Sequence, residues 1–553
     1  MIFIPHIFRL IFFMCGLAFL HPGIGLATQN RNPETRTDSQ PGQSFKIAGT
    51  VVNANTGTPL AQARISIARA KDPGKFTSIV TSEDGHFEFS QLAAGKYTLQ
   101  GAKRGFISAA YEQHEQFSTA IVTGPDFSTE NLLLRLTPMA IITGHVFDEF
   151  GDPVRNANIY LFQERHTGGG SRIVRMAFSI SDDRGFYDIA LLRPGNYYVS
   201  VTTKPWYAVH SVTALDPALD VAYPVTFYDG ATEADRATRI ELNGGDRLQI
   251  DIHLNPVPAL HIFFRIPENG PDPQNQFTVP TLQKSVFDSP ELVQPEGTRQ
   301  VAPGLYELFG IPPGRYTTRI KNSGSGQLEQ STDLDITRDG QDLNDTRGEP
   351  LGSLKLSFRL PGDETLPKQY TVGLQDSGRR FVGFRRGDSS GQVAFEDLAP
   401  GKYAILILSG TKQLSVVRTT SPSSDSPGHD VTITPGTALE LTASLAVGIV
   451  NIEGIVKKKD RPLAGIMVAL VPKDPEAHIE LFRRDQSDFD GTFLLQGVIP
   501  GSYTIVAVED AWGFEWLQPG ALARYVQHGQ NLIVGNLMLG TVHLPDPVEV
   551  QPH

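Results

Sequence analysis

Five times along the chain a Gly is followed ten residues later by a second Gly, with a Tyr two places beyond it. The copies are Gly85/Gly95/Tyr97, Gly185/Gly195/Tyr197, Gly304/Gly314/Tyr316, Gly391/Gly401/Tyr403 and Gly491/Gly501/Tyr503. With 53 Gly and 15 Tyr in 553 residues, chance supplies about 0.14 such triples, so the pattern is an internal repeat. A chain built this way folds as a row of small units, each with its own core. The second glycines lie 100, 119, 87 and 100 residues apart, a spacing that suits β-sandwich modules of about 100 residues.

The local chemistry of the repeat fits strands and turns. The first Gly follows polar residues, as in Glu83-Asp84-Gly85 and Asp490-Gly491, where a turn needs positive φ and Gly supplies it without steric cost. An alternating strand comes next, then an aliphatic residue seven places after the Gly (Leu92, Leu192, Ile311, Leu398, Val498), then a turn that is Pro-Gly in four copies and Ala94-Gly95 in the first. The Tyr opens the returning strand, so the motif reads as a turn-strand-turn hairpin. Three copies share an upstream strand, turn and strand: Ile47–Val52 with Thr58-Pro59-Leu60, Ile142–Phe147 with Asp152-Pro153-Val154, and Ile452–Val456 with Arg461-Pro462-Leu463. Helix is nearly absent from the pattern, with short turns expected at 232–237 and 519–525.

At the N-terminus, Arg9 precedes the apolar run Leu10–Leu20 and a small-residue end at Gly25-Leu26-Ala27. This is the layout of a secretory signal peptide, too short for a membrane span. The divisions expected are therefore a signal segment at 1–27, a polar leader at 28–44, sandwiches at 45–138, 139–256, 257–347, 348–447 and 448–545, and a tail at 546–553. Cys15, the single cysteine, lies in the apolar run without the small residues that lipid attachment needs. Cleavage then leaves domains that stand on apolar cores without disulfides. No other stretch is apolar enough to span a bilayer, and a net charge of −12 without basic blocks points away from nucleic acid and anionic membranes.

The run Ile47-Ala48-Gly49-Thr50-Val51-Val52, Thr58-Pro59-Leu60, Ser82-Glu83-Asp84-Gly85-His86-Phe87 and Ala94-Gly95-Lys96-Tyr97 resembles the carboxypeptidase regulatory-like domain. The resemblance implies an all-β chain, a tandem array of transthyretin-like or Ig-like seven-stranded β-sandwiches. It is close over 45–138, 139–256 and 448–545 and loose over the two central segments. The array, with Tyr223–Tyr228 followed by Ala231-Thr232-Glu233-Ala234, is also similar to secreted multi-domain proteins of acidobacteria. Such domains are accessory modules, so the fold alone names no function.

A search for chemistry returns little. None of the 14 His has a Glu three places on, so the zinc motif of the peptidases such domains accompany is missing, as are His-Glu-x-x-His and Gly-x-Ser-x-Gly. His114-Glu115 reads as a polar loop, and the Gly-rich pieces at 168–170 and 323–326 lack a phosphate loop's Lys. Asp485–Gly491 has closely spaced carboxylates but not a calcium loop's spacing, and reads as a solvated turn. No catalytic residue, metal or cofactor is expected, and the protein is read as a non-enzyme.

Aromatic residues give the binding signal. All three Trp fall after the returning strand of the second and fifth copies: Trp206 with Tyr207, Tyr223 and Tyr228, and Trp512 and Trp516 with Tyr525. Aromatic rings on sandwich loops can stack on sugar faces or anchor a protein; equally, they can plug the open edge of a sandwich. These seven residues are the candidate ligand-binding set. The reading is a secreted, periplasmic or envelope-associated binding protein whose carbohydrate-binding-like modules meet a polysaccharide first, an envelope protein second. The alternatives are a structural spacer or adhesion stalk, and an unrecognised hydrolase.

Overall fold

The structure is a computed structural model of the chain, and it describes residues 44–553 apart from 114–117, 126, 168–169, 211–215, 266–278, 288, 321–329, 344–347, 363, 388–389, 411, 423, 476–477, 512–519 and 536–537. The signal segment, the leader through residue 43, the His114-Glu115 pair, Trp512 and Trp516 lie outside the described residues. Residues Ser44–His553 form one compact unit, nearly all strand, with turns of helix at Ala234–Arg236, Ile479–Leu481 and Ala523–Val526.

Five apolar clusters, each drawn from one stretch of chain, form the cores of tandem sandwiches. The first sandwich shows the plan. Strand Phe45–Asn53 lies between His86–Leu92, antiparallel, and Leu132–Leu136, parallel. Arg64–Arg69 lies between Asp72–Val80 and Gly95–Ala102 in the facing sheet. Alternation sets the layers: Ile65 and Ile67 point inward from one sheet and Phe87 and Phe89 from the other, all at most 6% exposed. The other four sandwiches repeat the central strand with an antiparallel neighbour on one side and a parallel one on the other: Ala140–Phe147, Leu260–Arg265, Gly352–Arg359 and Val450–Lys458. The two degenerate copies thus keep the topology although their Pro-turns are altered.

The repeated motif differs from the hairpin that its sequence implies. Its two strands do not pair; in the first copy His86–Leu92 belongs to one sheet and Gly95–Ala102 to the other, and the strands take separate partners in the other four as well, although in the fifth Val548–Gln551 pairs with both layers and joins them into one nine-stranded sheet. The motif is an arch that carries the chain across the core. Its first Gly has φ of +75, +73, +70, +68 and +82° in the five copies. Six residues on, Gln91, Leu191, Gly310, Asp397 and Gly497 are again left-handed, at +60, +64, +76, +56 and +63°. Each sits where the register of the strand pair slips, a β-bulge that bends the strand out of its sheet. The Tyr then locks the arch: its hydroxyl donates to the carbonyl four residues back, Ala93, Arg193, Pro312, Ala399 and Ile499, at 3.0, 2.8, 2.6, 2.6 and 2.6 Å. One buried phenol satisfies the carbonyl that the bulge frees from the sheet.

Candidate functional site

The second sandwich contributes an aromatic ledge. Its central strand ends at Phe147, and Asp148 holds the following turn by accepting from the amides of Phe150 and Asp152 at 2.9 and 2.8 Å. That turn presents Glu149, whose two oxygens accept from the hydroxyls of Tyr207 and, at 2.6 Å, Tyr223. Burial pushes the Glu149 carboxyl up, but the two phenols outweigh it and hold it below the usual range. Burial and the adjoining carboxylate push Tyr207 up to about 12, so both phenols stay donors and the clamp persists across ordinary pH. Trp206, 86% exposed, meets the Tyr207 ring edge-on at 5.9 Å, and the exposed Phe150 closes on its other side at 6.5 Å. A large indole is thereby held out in solvent by a rigid base.

Behind the ledge lies a cleft of about 620 Å³ between the second and third sandwiches, within the usual size of small-molecule sites. Lys204, Pro205 and Tyr223 line it from the ledge side, and Arg155, Asn158, Tyr160 and Arg175 from the sheet of the second sandwich. Lys284, Glu291 and Glu296 face them from the third. Arg175 donates to Glu291 Oε2 at 2.7 Å and lies over the Tyr160 ring at 5.2 Å. Glu291 Oε1 is buried with no partner among the described residues, and burial raises the carboxyl above its ordinary value against the pull of Arg175. A buried oxygen with spare lone pairs, beside guanidinium and amide groups, is an acceptor for a ligand hydroxyl.

The other aromatic candidates are placed differently. Tyr223 lines the cleft but is only 6% exposed, so it presents no open ring face. Tyr228 packs against the second core. Tyr525 is 2% exposed in an apolar cluster with Met467, Val506 and Leu522, so its ring is closed to solvent and stacking on a ligand is not open to it. Sequence proximity could not separate these cases, because burial of a loop aromatic depends on which sheet edge the loop covers.

The two sandwiches are joined beside the cleft by a charged relay. His210 Nδ1 meets Asp220 Oδ1 at 2.6 Å, Asp220 Oδ2 meets His261 Nε2 at 3.0 Å, and His261 Nδ1 meets Glu307 Oε1 at 2.6 Å. Arg299 closes the chain with a two-pronged contact to Glu307. Burial disfavours the charged imidazole, yet the bonds to Glu307 and Asp220 win and raise His261 above its ordinary value. Both ring nitrogens face carboxylates, an arrangement that favours the doubly protonated ring. Burial likewise opposes the Glu307 charge, but Arg299 and His261 hold that carboxyl low. A raised His contributes stability that is full below its unfolded value of about 6.5 and is lost as pH rises through the folded value. A lowered Glu contributes stability that is present above about 4.5 and is lost as pH falls through the folded value. The expected result is a joint tightest in mildly acid solution and loosening above neutrality, read as falling amide protection at Val221, Ala222 and Val257 in the short strands paired across it. His261→Gln should flatten the alkaline side of that profile; an equally steep loss in the variant would assign the effect elsewhere.

The fold defines a class, an array of β-sandwiches, whose first unit is similar to the carboxypeptidase regulatory-like domain. The family model of that domain matches residues 46–124. Among curated proteins the chain is similar to Colossin-A of Dictyostelium discoideum, 24% identical over 392 residues that make up 65% of this chain. The match spans 3% of that protein's length. Among solved structures it is similar to the TIE protein of Bacillus anthracis, at 11% identity and a TM-score of 0.17 over 74% of this chain and 76% of that one. A streptococcal ancillary pilin matches at 13% identity and a TM-score of 0.21 over 54% and 98%. TM-scores of this size do not establish a shared arrangement. Among the described residues no helix is long and apolar enough to cross a membrane.

Proposed function

We propose that this is a non-catalytic, envelope-associated or secreted binding protein that holds a segment of polysaccharide in the cleft between its second and third sandwiches. The observation that carries this reading is the pairing of an indole displayed to solvent, Trp206, with a polar cleft in which Glu291 keeps an oxygen without a partner among the described residues. A sugar ring has one face of C–H groups, which stacks on an aromatic ring, and a rim of hydroxyls, which needs acceptors and donors in fixed positions. The ledge supplies the first and the cleft the second. Tyr207 and Tyr223 act through Glu149, holding the ledge still so that little ordering entropy is lost on binding.

The test is a glycan array probed with the secreted chain, followed by titration of any ligand found. Trp206→Ala should weaken binding about tenfold, as expected for the loss of about 1.4 kcal/mol of stacking, with strand content unchanged by circular dichroism. Glu291→Gln, which keeps the shape but alters the acceptor, should weaken it as well. Folded protein that binds no glycan would overturn the sugar reading and leave the array as a scaffold or protein-adhesion surface.

A further inference from the structure

We propose a second, separate site: a binding site for a divalent transition-metal ion of the zinc class, made by His429, His478 and Glu480 at the joint between the fourth and fifth sandwiches. Neither half is legible from spacing. His429 lies in the turn between strands Ser424–Pro427 and Asp430–Ile433, where the Gly428 amide donates to Val417 O at 2.8 Å and the His429 carbonyl accepts from Ile405 at 2.9 Å. His478 and Glu480 sit 49 and 51 residues further on, in the single helical turn around Ile479–Leu481, which the bond from the His478 amide to Asp474 O at 3.1 Å pins.

The side chains converge. One nitrogen from each imidazole and one oxygen of the carboxylate lie within 4.8 Å of one another, and the two rings stand edge to face with centroids 4.9 Å apart at 85°. His429 is 7% exposed, and among the described residues its Nδ1 has no hydrogen-bond partner. Glu480 Oε1 accepts from Ser415 Oγ at 3.2 Å and meets His478 Nδ1 at 3.4 Å, while Oε2 is buried and likewise without a partner among the described residues. Leaving two such polar atoms unsatisfied in one buried spot is costly. A cation bound among these side chains supplies the electron-pair acceptor that such atoms lack, since each offers a lone pair. Two imidazoles and one carboxylate form a donor set suited to zinc or its neighbours, not to calcium or magnesium, which take oxygen ligands.

The second His cluster on this chain makes the contrast. In the His210–Asp220–His261 relay the facing atoms already pair with one another at 2.6 and 3.0 Å, and the other nitrogen of His261 is taken by Glu307, so an ion there would have to break bonds that already satisfy the groups. At the fourth-to-fifth joint the existing contacts of the two imidazoles are long, 3.4 Å from His478 to Glu480 and 3.5 Å from His429 Nε2 to Asp430. Only Gly448 and Ile449 separate the strands Ala438–Val447 and Val450–Lys458. An ion held by His429 on one side and by His478 and Glu480 on the other would fasten two sandwiches that the chain already holds close.

The experiment uses the untagged chain, stripped with a chelator and titrated with Zn²⁺ by calorimetry, with Co²⁺ as an optical probe. The expected result is one equivalent of Zn²⁺ per chain and a Co²⁺ visible band of the intensity of four or five ligands. His429→Gln and Glu480→Gln should each weaken binding by about 100-fold or more, and His261→Gln should leave it unchanged. Stoichiometric binding that survives both joint variants, or vanishes in His261→Gln alone, overturns the assignment. So does a native chain that gives only the weak spectrum of hydrated Co²⁺, an outcome that does not depend on any variant folding. Sugar binding through Trp206 is independent of this result.

Discussion

Replacing Lys96 by Ala is expected to cost about 3 kcal/mol at the contact between the first and fifth sandwiches. Lys96 is the residue between the second Gly and the Tyr of the first repeat, and its ammonium is 2.8 Å from both oxygens of Asp485 with a third bond to the Gln486 carbonyl. The two side chains are 6% and 21% exposed. Around them Gln486 accepts from the Ala120 amide at 2.8 Å and Arg484 donates to Ser118 O at 3.1 Å. Burial drives the Arg484 guanidinium down to about 10, a sign of how little water the contact holds. Truncating Lys96 therefore leaves a largely buried carboxylate with the Leu494 amide at 2.7 Å and the neighbouring Arg484 charge as its support. An exposed pair would be worth 1 kcal/mol at most, and the difference decides the reading. The measurement is hydrogen exchange at Ala120 and Leu494, because the melting of a multi-domain chain is not two-state. Protection should fall about 100-fold; a change below about threefold would place the pair with ordinary surface bridges. In Lys96→Met/Asp485→Leu, where no charge is left unpaired, much of the loss should return.

That contact also shows where the sequence stops being informative. Asp485–Gly491 reads as a solvated turn, since carboxylates beside Gly usually face water. In the fold Asp488 is 6% exposed, Asp485 is spent on Lys96, and Phe489 lies against Gly124 of the first sandwich. The turn itself is as expected, with Gly491 at φ +82°; its surroundings come from a segment almost 400 residues away. The same division holds elsewhere. The array and the alternating strands were legible because they depend on local periodicity and turn chemistry. The crossing of the arch was not, because the bulge that causes it is occupied by Gly in the third and fifth copies but by Gln91, Leu191 and Asp397 in the others, so no one residue type marks the left-handed position across the copies. At the site, the prominence of Trp206 follows from its loop. The cleft and the three metal-binding candidates depend on how sandwiches meet, and periodicity within one sandwich says nothing of that.

Gly144→Ala is expected to destabilise the second sandwich by about 3 kcal/mol and to disturb the aromatic ledge with it. Gly144 lies mid-strand, opposite Tyr187 on one side, and on the other its strand runs beside two short parallel pieces, Arg247–Gln249 and Ile252–His253. Between those pieces the chain leans inward at Ile250. A Cβ on Gly144 would sit 1.8 Å from the Ile250 carbonyl oxygen and 2.6 Å from its carbon, so backbone, not a flexible side chain, has to move. The oxygen it would displace accepts from the buried Tyr187 hydroxyl at 2.7 Å, and the Ile250 amide donates to Thr143 at 2.7 Å. Both bonds are put at risk by one methyl group. Gly49 shows the same crowding in the first sandwich, 2.1 Å from the Leu132 carbonyl oxygen, whereas the third and fourth sandwiches carry Phe264 and Leu356 at the equivalent register, so the requirement belongs to these two sandwiches and not to the whole array. The control is Gly151→Ala, where φ is +85° but nothing lies within 4 Å, and only the left-handed backbone should cost, about 1 kcal/mol. Five residues separate Gly144 from Glu149, the clamp on Tyr207 and Tyr223. Amide exchange in the second sandwich should accelerate far more in Gly144→Ala than in Gly151→Ala, and the environment of Trp206 should change in its fluorescence. Equal exchange in the two variants would mean that the sheet absorbs the methyl group, and that the close approach at Ile250 is not what the glycine is for.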